Sequence, residues 1–341
     1  RALAWDWARR LAGPLRAQHG LEVRFFGYRH AGTNNGDLPS TAWPLALDDD
    51  GADPRTLDAD RLTDASTAAV PFETIFASHD VLLAPTELSA TAPLKLGARR
   101  HGFRAATMPG LSPAMMDALR VDITAVDRRV RTFQALLSRA ESAALRLRAD
   151  GRDFDLTIDL RHRTAHASSG LLDQPGVAGN LPSGEAYIVP YEGERPGTPS
   201  ATRGRLPVQL DDEVVVYDVE NNRAVAVRDG GPVAQAEAAR LARHPAYGNI
   251  AELGLGVLGA FGVKPIGVIL LDEKLGLHIA FGRSDHFGGV TGAEAFGDPD
   301  AMVHIDRVYL PETQPRVAVT SLDLTLPDGT QQAILRDGRY V

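Results

Sequence analysis

Around residue 150 the chain changes its period, and this change limits the folds open to it. Before that point apolar residues recur at helical spacing, as in "TAVDRRVRTFQALLSRAESAALRLRA" from Thr124 to Ala149. After it, "FDLTIDLR" (Phe154 to Arg161) alternates at every second position, as a strand with one buried face does. Strand-like runs follow at Ala186–Pro190, Glu213–Val219, Ala224–Val227, His278–Phe281, Val303–Leu310, Val317–Leu326 and Gln332–Leu335. The closing "LPDGTQQAILRDGRYV" carries two Asp-Gly turn signals. The second half is therefore expected to be a β-rich α+β domain whose clearest helix spans Val233–Arg243.

The first half reads differently. A helix is expected at Trp5–Gln18, an extended run at Leu21–Phe26, and a long loop from Gly32 to Ala69, where Gly, Pro and Asp crowd without a period. "DVLLAP" (Asp80–Pro85) and "FRAATMPG" (Phe103–Gly110) are short apolar runs with a helical stretch between them. Such alternation predicts an α/β unit with a mostly parallel sheet. From Ser112 to Leu147 the pattern is helical almost throughout. The expected organisation is an N-terminal α/β domain over 1–123, a linking helix over 124–149 and a C-terminal domain over 150–341.

With 341 residues, at roughly 100 to 200 per domain, two cores are possible. The net charge of −8 argues against nucleic acid or an anionic membrane as partner, since both repel an acidic surface. No apolar run approaches the roughly 20 residues of a spanning helix, and no signal peptide is visible. A cytoplasmic protein is the default expectation. The chain opens on Arg1 in mid-pattern, which implies a short preceding piece. With no cysteine, any metal must be held by His and carboxylate.

Several polar residues stand in unusual settings. His304 and Asp306, in "HID", share one face if the segment is a strand, so imidazole and carboxylate converge as metal ligands do. His278 opens "HIAFG" after the turn "DEKLG", Glu252 is alone in "IAELGLGVLG", and Glu185 opens an apolar strand in "GNLPSGEAYIVP". Burying an unpaired carboxylate costs several kcal/mol, so such groups are usually paired, protonated or metal-bound. Other residues carry blander readings. His162 and His166 in "RHRTAH" fall on strand and loop, Arg161 is a buried pairing partner, and His244 is a favourable charge at a helix C-terminus. "GLGVLGAFG" lacks the Lys-Ser/Thr ending of a phosphate loop.

In order along the chain, "PTELSATAPLKLGARRHGFRAATMPGLSPAMM", "GVAGNLPSGEAYIVPYEG", "NIAELGLG", "DEKLGLHIAFG", Gly288-Gly289 and "HIDRVY" resemble the successive motifs of the thermophilic metallo-aminopeptidase family typified by aminopeptidase T. The resemblance runs from about Asp80 to the C-terminus. It implies a two-metal centre held by Glu185, Glu252, His278, His304 and Asp306, with Zn, Co or Mn as the ions. It also implies a homodimer and a peptide or small specialised substrate cleaved at an amide beside a free amine. Glu185 or Glu252 would relay the proton. Where the family has a tyrosine after the histidine of His-Ile-Ala, this chain reads "GRSDHFGG", which places Asp285 or His286 there as candidate catalytic groups. The same superfamily includes 2,5-dihydroxypyridine 5,6-dioxygenases, which hold one Fe(II) with two His and one Asp. His278, His304 and Asp306 would supply that triad. A third reading is a non-catalytic relative that binds a metal or ligand without turnover.

Overall fold

The computed structural model describes residues 2–29, 32, 36–45, 69–228, 230–298 and 301–341. In chain order its elements begin with α1 (Ala2–His19), β1 (Phe25–Gly27), β2 (Thr41–Leu45), β3 (Val70–Pro71) and α2 (Phe72–Ser78). Next come β4 (Val81–Ala84), α3 (Thr91–His101), β5 (Arg104–Thr107), α4 (Ile123–Arg139), β6 (Ser142–Ala149) and β7 (Arg152–Asp159). β8 (His166–Ser168), β9 (Ala178–Asn180), β10 (Glu185–Ile188), β11 (Arg203–Leu210), β12 (Glu213–Glu220) and β13 (Arg223–Val227) follow. The chain ends with α5 (Pro232–Arg243), β14 (Ile250–Gly256), α6 (Ile269–Asp272), β15 (Leu277–Gly282), β16 (His304–Val308), β17 (Val317–Thr325), β18 (Gln331–Arg336) and β19 (Arg339–Tyr340). No helix among the described residues is long and apolar enough to cross a membrane.

The chain divides into two compact units, one of residues Arg1–Arg120 with Gly170–Pro182, the other of Val121–Ser169 with Ser183–Val341. The first is the expected α/β assembly: β4, β5 and β9 form a parallel sheet in the order β4-β5-β9. Phe76, Leu94, Ala98, Phe103 and Ala105 make its core. A second sheet, β1-β2-β3, is antiparallel. Part of the expected loop from Gly32 to Ala69 is therefore strand, since Thr41–Leu45 pairs with Phe25–Gly27; residues 46–68 of that loop lie outside the described residues.

The second unit is β-rich. β13-β12-β11-β7-β6-β17-β18-β19 form an eight-stranded sheet, and β16-β15-β14-β10-β8 form a five-stranded one. α4 lies against β8 and β10. It begins where Asp122 accepts hydrogen bonds from the backbone N–H groups of Thr124 and Ala125, and it buries Val126, Val130, Phe133 and Leu137 along one stripe.

The continuous helix expected from Ser112 to Leu147 is broken into three pieces: a 3₁₀ helix at Pro113–Arg120, α4 and β6. In "SAALRLRA", Ala143, Leu145, Leu147 and Ala149 are buried at period two. The Ala, Leu and Arg residues favour helix by propensity, but the alternation and the pairing with β7 and β17 decide the outcome. The helix that starts at 123 thus belongs to the second unit. The stretch near residue 150 is a hairpin turn, with Asp150 at φ 47° and Gly151 at φ 74° as a tight β6–β7 connection requires.

Candidate metal centre

Register brings the polar residues of the five-stranded sheet onto one face. In antiparallel pairing, directly opposed residues project to the same side. One row runs Glu252, Ala280, Asp306; another runs His166, Tyr187, Gly254, His278, Val308; Glu185 opposes Ser168 and Gly256; Gly282 opposes His304. Functional side chains therefore alternate on this face with glycine and alanine, which leave room for them. Gly254 shows the need most sharply. A Cβ there would lie 1.9 Å from His278 Nε2, so the imidazole rests directly over the β14 backbone.

The result is two groups of ligand atoms that share one residue. Glu185, Glu252 and His278 form the first, and Glu252, His304 and Asp306 the second; within each, one ligand atom per residue lies within 4.8 Å of the others. Glu252 has one oxygen for each imidazole: Oε1 is 3.2 Å from His278 Nε2 and Oε2 is 3.4 Å from His304 Nε2. His278 Nε2 lies 3.6 Å from Glu185 Oε2, and His304 Nε2 lies 3.8 Å from Asp306 Oδ1. On the far side of each ring, Nδ1 meets a backbone carbonyl, that of Gly276 at 3.3 Å and that of Arg283 at 2.7 Å. A carbonyl only accepts, so Nδ1 carries the proton and Nε2 is turned inward, the orientation a metal ligand needs.

Burial makes the electrostatics severe. Glu185 is 5% exposed, Glu252 4% and His278 1%. Burial opposes the charge of Glu252, but hydrogen bonds from His278 and His304 outweigh it and hold the carboxyl well below the usual range. Burial likewise opposes the imidazolium forms. The Glu252 carboxylate overcomes this and pushes His278 up to about 10 and His304 to about 9. Burial raises Glu185, although Lys274 pulls the other way. Carboxylate oxygens and imidazole nitrogens suit divalent ions of intermediate hardness. Glu185 Oε2 is buried without a hydrogen-bond partner, as an oxygen reserved for such an ion would be.

Asp285 and His286 belong to neither ligand group. The Asp285 carboxylate is held by Arg283, while the His286 ring lies 5.3 Å from that of His304. Phe287 lies 5.4 Å from His304 and 5.0 Å from Tyr187, which stacks on His166 at 5.2 Å. These rings make an aromatic wall beside the candidate ligands. The loop that carries His286 and Phe287 is pinned by Glu192, which accepts from Ser284 Oγ, Val290 N and Asn249 Nδ2 and pairs with Arg163. The His162 ring packs instead on Tyr191, and Arg161 grips the buried Asp159.

Lys274 and Glu273 escape a reading of the sequence alone. Lys274 Nζ donates to both Glu185 Oε1 and Glu273 Oε1. Burial raises Glu273 to about 7. A signal exists for the lysine: the chain uses Lys only at 95, 264 and 274 among its 36 basic residues. Tyr187 is equally recoverable, two residues after Glu185 on the same strand face.

No family model matches the sequence, and no curated protein matches it. Among solved structures, the chain is similar to 2,5-dihydroxypyridine dioxygenase from Pseudomonas putida KT2440, with a TM-score of 0.53 and 16% identity over 79% of this chain and 74% of that one. This likeness shows a shared fold. Wild-type AmpT from Thermus thermophilus also matches, with a TM-score of 0.44 and 22% identity over 72% of this chain and 62% of AmpT's length.

Proposed function

We propose that this protein is a metal-dependent hydrolase of the aminopeptidase-like type, cleaving an amide beside a free amine. The observation that carries the reading is the sharing of Glu252 between two ligand groups, with one oxygen toward each imidazole. Glu252 would therefore contribute an oxygen to each of two ion positions. The ordered motifs that resemble those of the metallo-aminopeptidase family support the same reading.

Charge supports two ions over one. With the imidazoles neutral, Glu185, Glu252, Glu273 and Asp306 against the ammonium of Lys274 leave the centre at about −3 when all are ionised. One divalent ion leaves it negative, whereas two bring it to one positive charge, the sign that favours an amide oxygen turning anionic. When bound, two divalent ions lower the pKa of a water and polarise a carbonyl. The chain's own contribution is to aim His278 and His304 through their Nδ1 protons and to supply Glu252, which would serve both ion positions. Glu273, outside both ligand groups and hydrogen-bonded to Lys274, is the half-buried carboxylate we assign to accept a proton.

A mononuclear Fe(II) reading draws on His278, His304 and Asp306 as its triad. Metal analysis of the purified protein separates the two. The hydrolase reading expects two Zn, Co or Mn ions per chain and amine release from aminoacyl anilides that stops with a chelator. Glu185→Ala should then lose one ion and at least about a hundredfold in turnover. Unchanged metal content and activity in Glu185→Ala would overturn the two-ion centre. One iron per chain with oxygen uptake on a hydroxylated pyridine would establish the alternative.

A further inference from the structure

The cation buried in the centre is a lysine in a chain that otherwise relies on arginine, and it touches only one of the two ligand groups. Lys274 is 4% exposed. Its Nζ holds Glu185 Oε1, leaving Oε2 of the same carboxylate buried and without a hydrogen-bond partner. Its backbone is fixed as well. A Cβ on Gly256 would come 2.3 Å from the carbonyl carbon of Lys274 and 2.4 Å from the carbonyl oxygen of Glu273. The turn therefore lies flat on β14 at the residue that opposes Glu185 across the strands. Among the described residues, neither Glu252 nor Asp306 is paired with a lysine or an arginine; both meet histidines instead.

We propose that Lys274 is a resident cation that makes the two ion positions unequal. The position of Glu252, His304 and Asp306 takes the first divalent ion. The position of Glu185, Glu252 and His278 takes the second at least about tenfold more weakly, because an ammonium on the same carboxylate repels it. A lysine suits this role better than an arginine: its charge is a compact point that grips one oxygen and leaves the other free. The inference rests on the two-ion reading above and adds to it an order of filling. The occupancy of the weaker position then follows the supply of free metal.

A purely orienting lysine predicts the opposite sign. If Lys274 only aimed Glu185, its removal would weaken the second ion; as a competing charge, its removal strengthens it. The test is titration of the metal-free full chain with Co(II), followed by calorimetry and by the number of ions retained. The wild type should bind in two steps separated by at least about tenfold. Lys274→Gln should tighten the second step by a similar factor and leave the first within about twofold. Glu273→Gln, which leaves the ammonium wholly on Glu185, should weaken the second step further. Should Lys274→Gln fail to fold, the wild-type separation and the Glu273→Gln shift decide. Two ions bound with equal affinity, or a second step weakened or unmoved in Lys274→Gln, overturn the role of Lys274 alone. Saturation at one ion under excess Co(II), unchanged by Glu185→Gln, overturns the two-ion reading as well.

Discussion

At the scale of single residues, the five candidate ligands were legible because each breaks the pattern around it. Glu252 interrupts a run of apolar residues and glycines, and His304 and Asp306 stand at strand spacing. Glu273 and Glu192 were not legible, because a charged residue in a turn or loop looks solvated until pairing closes over it, and Lys274 was marked only by the rarity of lysine in the chain. Gly254 carries a direct test. Gly254→Ala forces the His278 imidazole off the β14 backbone, so the variant should keep its secondary structure by circular dichroism while losing at least about tenfold in metal affinity. The imidazoles set a second test. Their pKa values in the ion-free protein, about 10 for His278 and about 9 for His304, stand above the ordinary value of about 6.5. The stabilisation this brings is complete below about pH 6.5 and is lost as pH climbs through about 9 to 10. Divalent ions need the neutral rings, so binding tightens along the same climb. Thermal melts with and without a chelator should therefore diverge as pH rises from 6 toward 9; parallel curves would contradict the linkage.

At the scale of elements, period and turn chemistry predicted most of the strands of the second unit, including β10, β15, β16 and β17, to within a few residues. They failed at β6, where helix-forming residues mask an alternating pattern that only the neighbouring strands reveal. They failed also at β2, set in a Pro- and Asp-rich stretch. The α4 start depends on one side chain. Asp122→Ala removes the acceptor for two backbone N–H groups and should cost about 1 kcal/mol in a denaturant melt, without changing metal content. A loss of metal in that variant would mean that α4, which lies against β8 and β10, holds the sheet face in register.

At the scale of the whole molecule, the change of period near residue 150 falls at the β6–β7 hairpin inside the second unit, whereas the division between units lies at Arg120–Val121. The first unit takes back residues Gly170–Pro182 from the middle of the second. Its parallel sheet is completed by β9, which follows β5 by some seventy residues of chain. Nothing local in "GVAGN" announces a partner so far back. β9 pairs with β5 through Ala178, Gly179 and Asn180, three small residues with little apolar signal of their own. Alternation reports which face of a strand is buried but not which strand lies beside it, and that information resides in long-range pairing.

The return of β9 has a practical corollary for anyone dividing this gene. A fragment ending at Arg120 would leave β5 with an open edge, and one starting at Val121 would carry a thirteen-residue excursion, Gly170–Pro182, with no sheet to join. Neither half is a transferable module under a single cut. Recombination that exchanged one half for a homologue's would have to preserve three junctions, the last only a few residues before Glu185.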